Sequence, residues 1–301
     1  TFMKWFELIR HKYGCETVML HVPYQGDGKI DPNMRNYVVK QLKETVIPTL
    51  ERISGVKFDI DRLRQYMRES EKAEEDLVRV LQSAKNRPSP IDGYFGAVYY
   101  IGPIFTAFRG TPEASQYYSV LRREIEERVR LGKGPITPDG EMGEEKYRLV
   151  TEGPPNWTSF RDFWKMFYDE GAVVVASTYS KVGGLYDFGF RHDADHPLES
   201  LADYCLGCYT NLNLPSRIDM ICKYIDEYQA DGLLINSIKS CNSFSAGQLL
   251  ILREVEKRTG KPAAFIETDL VDPRYFSAAN VKNRLESYFQ MIKQKRAAGA
   301  H

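Results

Sequence analysis

Five cysteines and five histidines carry most of the redox and metal chemistry open to this chain, and one cysteine stands out by its setting. Cys241 lies in Ile235-Asn236-Ser237-Ile238-Lys239-Ser240-Cys241-Asn242-Ser243-Phe244-Ser245, a run that passes from a buried strand into a helix start. A thiolate there is stabilised by backbone N–H groups and by the nearby Lys239, which suits a nucleophile or a metal ligand. A plain buried cysteine is the alternative, because cysteine is among the most often buried residues. None of His11, His21, His192, His196 and His301 has a local signature tying it to Cys241, so a cysteine hydrolase finds little support.

Cys205 and Cys208 form a C-x-x-C, a spacing shared by zinc sites, redox pairs and iron-sulfur clusters. Three residues apart on a helix is also one face, so two small residues packed in a core explain them as well, and they are expected to be structural. Cys15 and Cys222 read as core or boundary residues. Arg191-His192-Asp193-Ala194-Asp195-His196 can hold a metal or grip a phosphate or pantetheine chain, and it can equally be a solvated loop. Gly102-Pro103 with Arg109-Gly110 can hold an anion or only turn the chain.

The elements that must position these groups follow from apolar spacing and caps. Glu16 to Val22 reads as a short strand, and Val38, Val39, Leu42, Val46, Leu50 and Ile53 mark a helix stopped by Gly55. Asp59 caps a long helix to about Asn86, whose Leu63, Met67, Leu77 and Leu81 form a narrow stripe. Arg87-Pro88-Ser89-Pro90 is a break. Beyond it come a strand near Val98, a helix from Pro112 to Leu131, a strand from Ala172 to Ser177, and helices from Leu198 to Tyr209 and Arg217 to Tyr228. A strand from Gly232 to Asn236, a helix from Ala246 to Arg258, a strand from Ala263 to Glu267 and a helix from Ala278 to Lys295 complete the pattern. Helix starts are written at Thr111-Pro112, at Ser159 before Asp162, and at Ser245 before Gln248.

This alternation predicts an α/β fold, a doubly wound parallel sheet with helices on both faces, preceded by the end of a second α/β domain and a bridging helix. The expected divisions are residues 1–58, the C-terminal part of a truncated α/β domain; 59–91, the bridging helix and linker; and 92–301, the α/β domain carrying the Cys241 loop. Ligands then gather at the carboxyl ends of the strands, at Gly102 to Gly110, Thr178 to Gly184, Ser237 to Phe244 and Thr268 to Arg274.

With 301 residues the chain can bury a core without disulfides, and five unevenly spaced cysteines do not make a secreted framework. Forty-one basic residues balance 41 acidic ones, so no field of one sign draws it to nucleic acid or an anionic membrane. A mean hydropathy of −0.44, with neither a long apolar run nor a signal segment, predicts a cytoplasmic protein. Thr1 followed by Phe2-Met3-Lys4-Trp5-Phe6 reads as the inside of an amphipathic helix, and the expectation is that more chain precedes it.

The block Asp231-Gly232-Leu233-Leu234-Ile235-Asn236-Ser237-Ile238-Lys239-Ser240-Cys241, then Ser245-Ala246-Gly247-Gln248 and Ile266-Glu267-Thr268-Asp269-Leu270-Val271-Asp272-Pro273-Arg274, resembles the 2-hydroxyacyl-CoA dehydratase and benzoyl-CoA reductase family. Trp5-Phe6-Glu7-Leu8, Val22-Pro23-Tyr24 and Tyr37-Val38-Val39-Lys40-Gln41-Leu42 extend the likeness over the chain, which is most similar to B-type subunits of ATP-dependent benzoyl-CoA reductases. The resemblance implies paired subunits each holding a 4Fe-4S cluster, a homologous C-type subunit as partner, further subunits that hydrolyse ATP, ferredoxin as electron donor and an aromatic acyl-CoA substrate. It gives Cys241 the role of cluster ligand, with the other cysteines of the family's cluster upstream of Thr1. Ser240, Asn242 and Ser243 then become cofactor-binding candidates, able to donate hydrogen bonds to cluster sulfur. Two alternatives are a 2-hydroxyacyl-CoA dehydratase subunit using the same cluster, and a non-catalytic scaffold fragment lacking its upstream ligands.

Overall fold

The computed structural model describes residues 2–26, 29–105, 108–180 and 189–298. Helix α1 (Phe2–Tyr13) is followed by irregular chain, and α2 (Pro32–Gln41) runs through a π-turn at Leu42–Val46 into α3 (Ile47–Ser54). The π-turn precedes Pro48, which has no N–H to continue the ordinary ladder, and Gly55 ends the run with φ 70°. Asp59 caps α4 (Ile60–Gln82) by accepting from the amides of Asp61 and Arg62 at 2.9 and 3.2 Å. Then come α5 (Phe95–Phe105), α6 (Pro112–Arg130), a small hairpin β1 (Ile136–Thr137) and β2 (Gly140–Glu141), β3 (Tyr147–Glu152), α7 (Phe160–Tyr168) and β4 (Ala172–Ser177). The chain closes with α8 (Pro197–Leu206), α9 (Leu214–Glu227), β5 (Gly232–Ile238), α10 (Asn242–Ser245), α11 (Gln248–Thr259), β6 (Ala263–Thr268) and α12 (Ala278–Ala298).

The main sheet has the order β4-β3-β5-β6 and every pairing in it is parallel. Its strands are apolar on both faces because each face is covered. Val150, Val173, Val175, Leu233 and Ile235 pack with residues of α4, α6, α9 and α11. Leu149, Val174, Leu234 and Ile266 pack with Phe95 and with residues of α7 and α12 on the other side. The expected doubly wound α/β architecture is therefore present. The chain leaves β3 toward β4 on one side and returns to β5 on the other, which puts the topological switch point at the carboxyl ends of β3 and β5. A third apolar cluster joins Val38, Val39 and Leu42 to Leu198, Ala202 and Leu206, and Arg35 adds a two-pronged pair with Asp203 at 2.6 and 2.9 Å.

Several elements differ from the sequence reading. Residues 16 to 22 form no strand; the nearby parallel pairing is an isolated bridge between Gln25 and Leu212. Val98 lies in a helix, α5, whose start is fixed by Asp92: its Oδ1 accepts from the amides of Tyr94 and Phe95 at 2.9 and 2.7 Å. A run apolar all round has no period to separate strand from helix, and the buried cap decides. The central strand β3 escaped notice because Arg148 and Glu152 interrupt its apolar run, yet both are buried. The apolar stripe of α4 is broad in its second half, where Ala73, Leu77, Val78, Val80 and Leu81 are all buried. Ser159 precedes α7 without a side-chain capping bond, and α11 starts from Gly247 at φ 79°, with Ser245 ending the separate turn α10. Gly102 to Gly110 follows no strand, and residues 181–184 of the second expected loop lie outside the described residues.

Candidate functional site at the carboxyl edge of the sheet

At the switch point the backbones of β3 and β5 come very close. Gly153, just past β3, has φ 100°, and a Cβ there would stand 2.1 Å from the carbonyl oxygen of Asn236. Asn236 is fully buried; its amide donates to the carbonyl of Pro154 at 2.6 Å and its oxygen accepts from the Thr268 hydroxyl at 2.9 Å. One side chain thus ties together the carboxyl ends of β3, β5 and β6.

Cys241 sits just beyond β5, as the sequence predicts. Its amide donates to Ile238 O at 3.1 Å, and its carbonyl accepts from the amides of Phe244 and Ser245 at 3.1 and 2.9 Å, which closes α10. The thiol is half-buried, while Ser240, Asn242 and Ser243 around it are exposed. Lys239 directs its charge elsewhere: its ammonium is 3.8 Å from the Glu267 carboxylate and 5.1 Å from the centre of the Tyr275 ring. The β6 loop braces the turn through Asp269, which accepts from the amides of Ser240, Val271 and Asp272 at 3.0, 3.0 and 3.1 Å. Burial works to push that carboxyl up, and these N–H groups together with the Ser240 hydroxyl hold it below its ordinary value.

Beneath the turn lies a carboxylate that the sequence reading passed over. Glu152 ends β3 with no exposed surface, and its Oε1 accepts from Arg217 Nη2 at 2.8 Å and from the Tyr209 hydroxyl at 3.2 Å. Its Oε2 accepts from the Gln248 amide. Burial pushes the Glu152 carboxyl up, while the Arg217 charge and the three hydrogen bonds pull it down. Arg217 lies over the Tyr209 ring, 4.7 Å from its centre, and donates from Nη1 to Ser243 O at 3.5 Å. Arg217 Nε and Gln248 Oε1 are enclosed with no hydrogen-bond partner among the described residues. An acidic residue ending an apolar run just before Gly153-Pro154-Pro155 was the available signal for Glu152.

The remaining candidates lie elsewhere. Cys205 is part-buried near the end of α8 and Cys208 is exposed, with its sulfur 3.5 Å from the Thr210 hydroxyl. Burial pushes the Cys205 thiol up, and the neighbouring Cys208 adds to this. The Arg191–His196 segment divides: His192 is buried with its ring against the buried Glu74, whereas Asp193 and His196 pair at 2.9 Å in an exposed position. Among the described residues no three His, Cys, Asp or Glu side chains group to hold a metal, and no helix is long and apolar enough to cross a membrane.

The model of the family described as 2-hydroxyglutaryl-CoA dehydratase, D-component, matches residues 1–292. The chain belongs to this family. Among its relatives, the B-type subunit of benzoyl-CoA reductase from Thauera aromatica is 77% identical over 300 residues, covering 100% of this chain and 69% of that protein. The (R)-phenyllactyl-CoA dehydratase alpha subunit of Clostridium sporogenes is 25% identical over 300 residues, covering 98% of the chain and 69% of the relative. The (R)-2-hydroxyisocaproyl-CoA dehydratase alpha subunit of Clostridioides difficile is 27% identical over 295 residues, with 98% and 69% covered. Members of one family thus bear the names of a benzoyl-CoA reductase and of dehydratases, and this chain is far more similar to the first of these relatives than to the other two.

Proposed function

We propose that this chain belongs to a B-type subunit of ATP-dependent benzoyl-CoA reductase, an oxidoreductase that reduces the aromatic ring of benzoyl-CoA to a cyclohexadiene carbonyl-CoA. The 77% identity over 300 residues to the Thauera aromatica reductase subunit carries this reading. In it Cys241 supplies one thiolate to a 4Fe-4S cluster at the carboxyl edge of the sheet, and the other ligands come from outside the present chain. The residues fit in this respect: a half-buried thiol stands on a turn braced from two sides, beside exposed Asn242 and Ser243 that can donate to cluster sulfur, while Ser240 is engaged with Asp269. Bound there, the cluster would supply single low-potential electrons. The partners in this reading are a homologous C-type subunit, two ATP-hydrolysing subunits, ferredoxin and the aromatic acyl-CoA, and the location is the cytoplasm.

Two measurements on the full-length subunit in its assembly test it. Benzoyl-CoA should be reduced with ATP and reduced ferredoxin, while 2-hydroxyacyl-CoA substrates are not dehydrated. Cys241→Ala should remove or destabilise this subunit's cluster and abolish ring reduction, with part of the ATP hydrolysis retained. Full iron content and activity in that variant would refute the ligand role.

A further inference from the structure

The turn that carries Cys241 is short, and Asn242, Ser243 and Ala246 in it are exposed, so its position depends on the groups that brace it: Asp269 at Ser240, and others beneath it. Arg217 and two aromatic rings reach it from below, and Gln248 is joined to it along the chain. Arg217 donates to Ser243 O at 3.5 Å. The Phe244 ring stacks on Tyr209 with centres 6.1 Å apart and planes at 27°, and it also meets Tyr179 at 6.5 Å. Gln248 opens α11 directly after the turn and is buried. Arg217, Tyr209 and Gln248 have one partner in common, the Glu152 carboxylate.

We infer that Glu152 and Arg217 are positioning residues for the Cys241 turn, with Glu152 orienting Arg217, Tyr209 and Gln248 so that together they set where the thiol points. The part of this inference that concerns a cluster rests on the proposed function; the part that concerns the turn does not. An apolar filling of the same volume would stabilise the fold at least as well, since burying an ion pair costs desolvation free energy. What an ion pair adds is direction. The planar guanidinium serves Glu152 and Ser243 from different nitrogens while its face covers Tyr209, and a lysine ammonium cannot do all three.

The test uses the full-length subunit in its native assembly under anoxic conditions, with Glu152→Gln, Arg217→Lys and Phe244→Leu. The last variant alters the turn's own contact with Tyr209 and keeps both members of the buried ion pair. Amide hydrogen exchange reads the turn directly, because the amides of Phe244, Ser245 and Ala246 are held by carbonyls of Cys241 and Asn242. All three variants should speed exchange over residues 241–246 by about tenfold or more, leaving the amides of β5 protected. At matched iron content, Glu152→Gln and Arg217→Lys should also change the electron paramagnetic resonance line shape of the reduced cluster. A purely structural role for the pair predicts that the turn and β5 lose protection together, and that result would overturn the inference. So would unchanged exchange in the turn. If Glu152→Gln does not fold, Arg217→Lys and Phe244→Leu decide. Cys241→Ala measured alongside separates the two ideas: full iron content there removes the cluster reading, while the exchange data still judge the positioning role.

Discussion

The Arg148 guanidinium is wholly enclosed and pairs with Glu145 at 2.7 Å, although the two residues stand at the amino-terminal edge of the sheet, opposite the candidate site. Arg148 also donates to the carbonyls of Ala84, Asn86 and Tyr228 at 2.6, 3.0 and 3.0 Å. It thereby pins the end of α4 and the end of α9 to the central strand. Replacing it with methionine keeps much of the volume and strands both the Glu145 carboxylate and three carbonyls. Arg148→Met should lower stability by roughly 3–5 kcal/mol in urea melts, the range for breaking one half of a buried pair. A loss within experimental error would show that these groups rehydrate.

Gly153 allows β3 and β5 to approach where the site forms, and its φ of 100° is one that side chains rarely adopt. Gly153→Ala should destabilise by roughly 1–3 kcal/mol from backbone conformation alone, with an additional cost from contact with Asn236 O. The checks are thermal melting and the protection of the Asn236 and Ser237 amides. A variant as stable as the parent would mean the two strand ends separate easily.

Asp92 gives a pH dependence with a definite sign. Burial raises its carboxyl from 3.8 to about 6, despite backbone amides that pull it down. A group raised on folding contributes stability that is full below its unfolded value and is lost as pH rises through the folded one. Asp92 should therefore remove roughly 3 kcal/mol of stability as pH rises from 3.8 to above about 6. Denaturation midpoints across this window should fall less steeply in Asp92→Asn than in the parent. Parallel curves would show that the carboxyl titrates at its ordinary value in the folded protein.

Cys205 and Cys208 are expected to be structural. Burial favours the protonated thiol at Cys205, opposite to what a metal ligand needs, and the Cys208 sulfur makes a weak contact with the Thr210 hydroxyl. Changing both to serine in the full-length assembly should leave iron content and ring reduction unchanged. Loss of a substantial share of the iron would make the pair ligands.

Much of the α/β alternation was legible because β4, β5 and β6 are apolar runs set between helical segments, and Cys241 was legible because it follows such a run. What stayed hidden was hidden for one reason. Arg148 and Glu152 place charges inside the strand that the others are built around, and a charge reads as exposed until its partner is known. Those partners, Glu145 for one and Arg217, Tyr209 and Gln248 for the other, come largely from distant segments. Asp92 misled in the same way, since a buried carboxylate turned an aromatic run from an apparent strand into a helix.

The strand order also governs how the chain can come together. Leu149 of β3 pairs with Val174 of β4 but also with Gly232 of β5, far along the sequence. During synthesis from the amino terminus, β3 and β4 emerge early as a pair with one long edge of free N–H and C=O groups. That edge stays open until β5 has been made and has docked, and apolar Leu149 and Val150 stay uncovered on their flank meanwhile. Pairing over such separations is slow, because the entropy of closing the loop is lost before contacts reward it. The nascent chain is thus vulnerable to association with other chains for as long as its middle strand waits for its neighbour, and chaperones should matter more for producing this protein than its final stability would suggest.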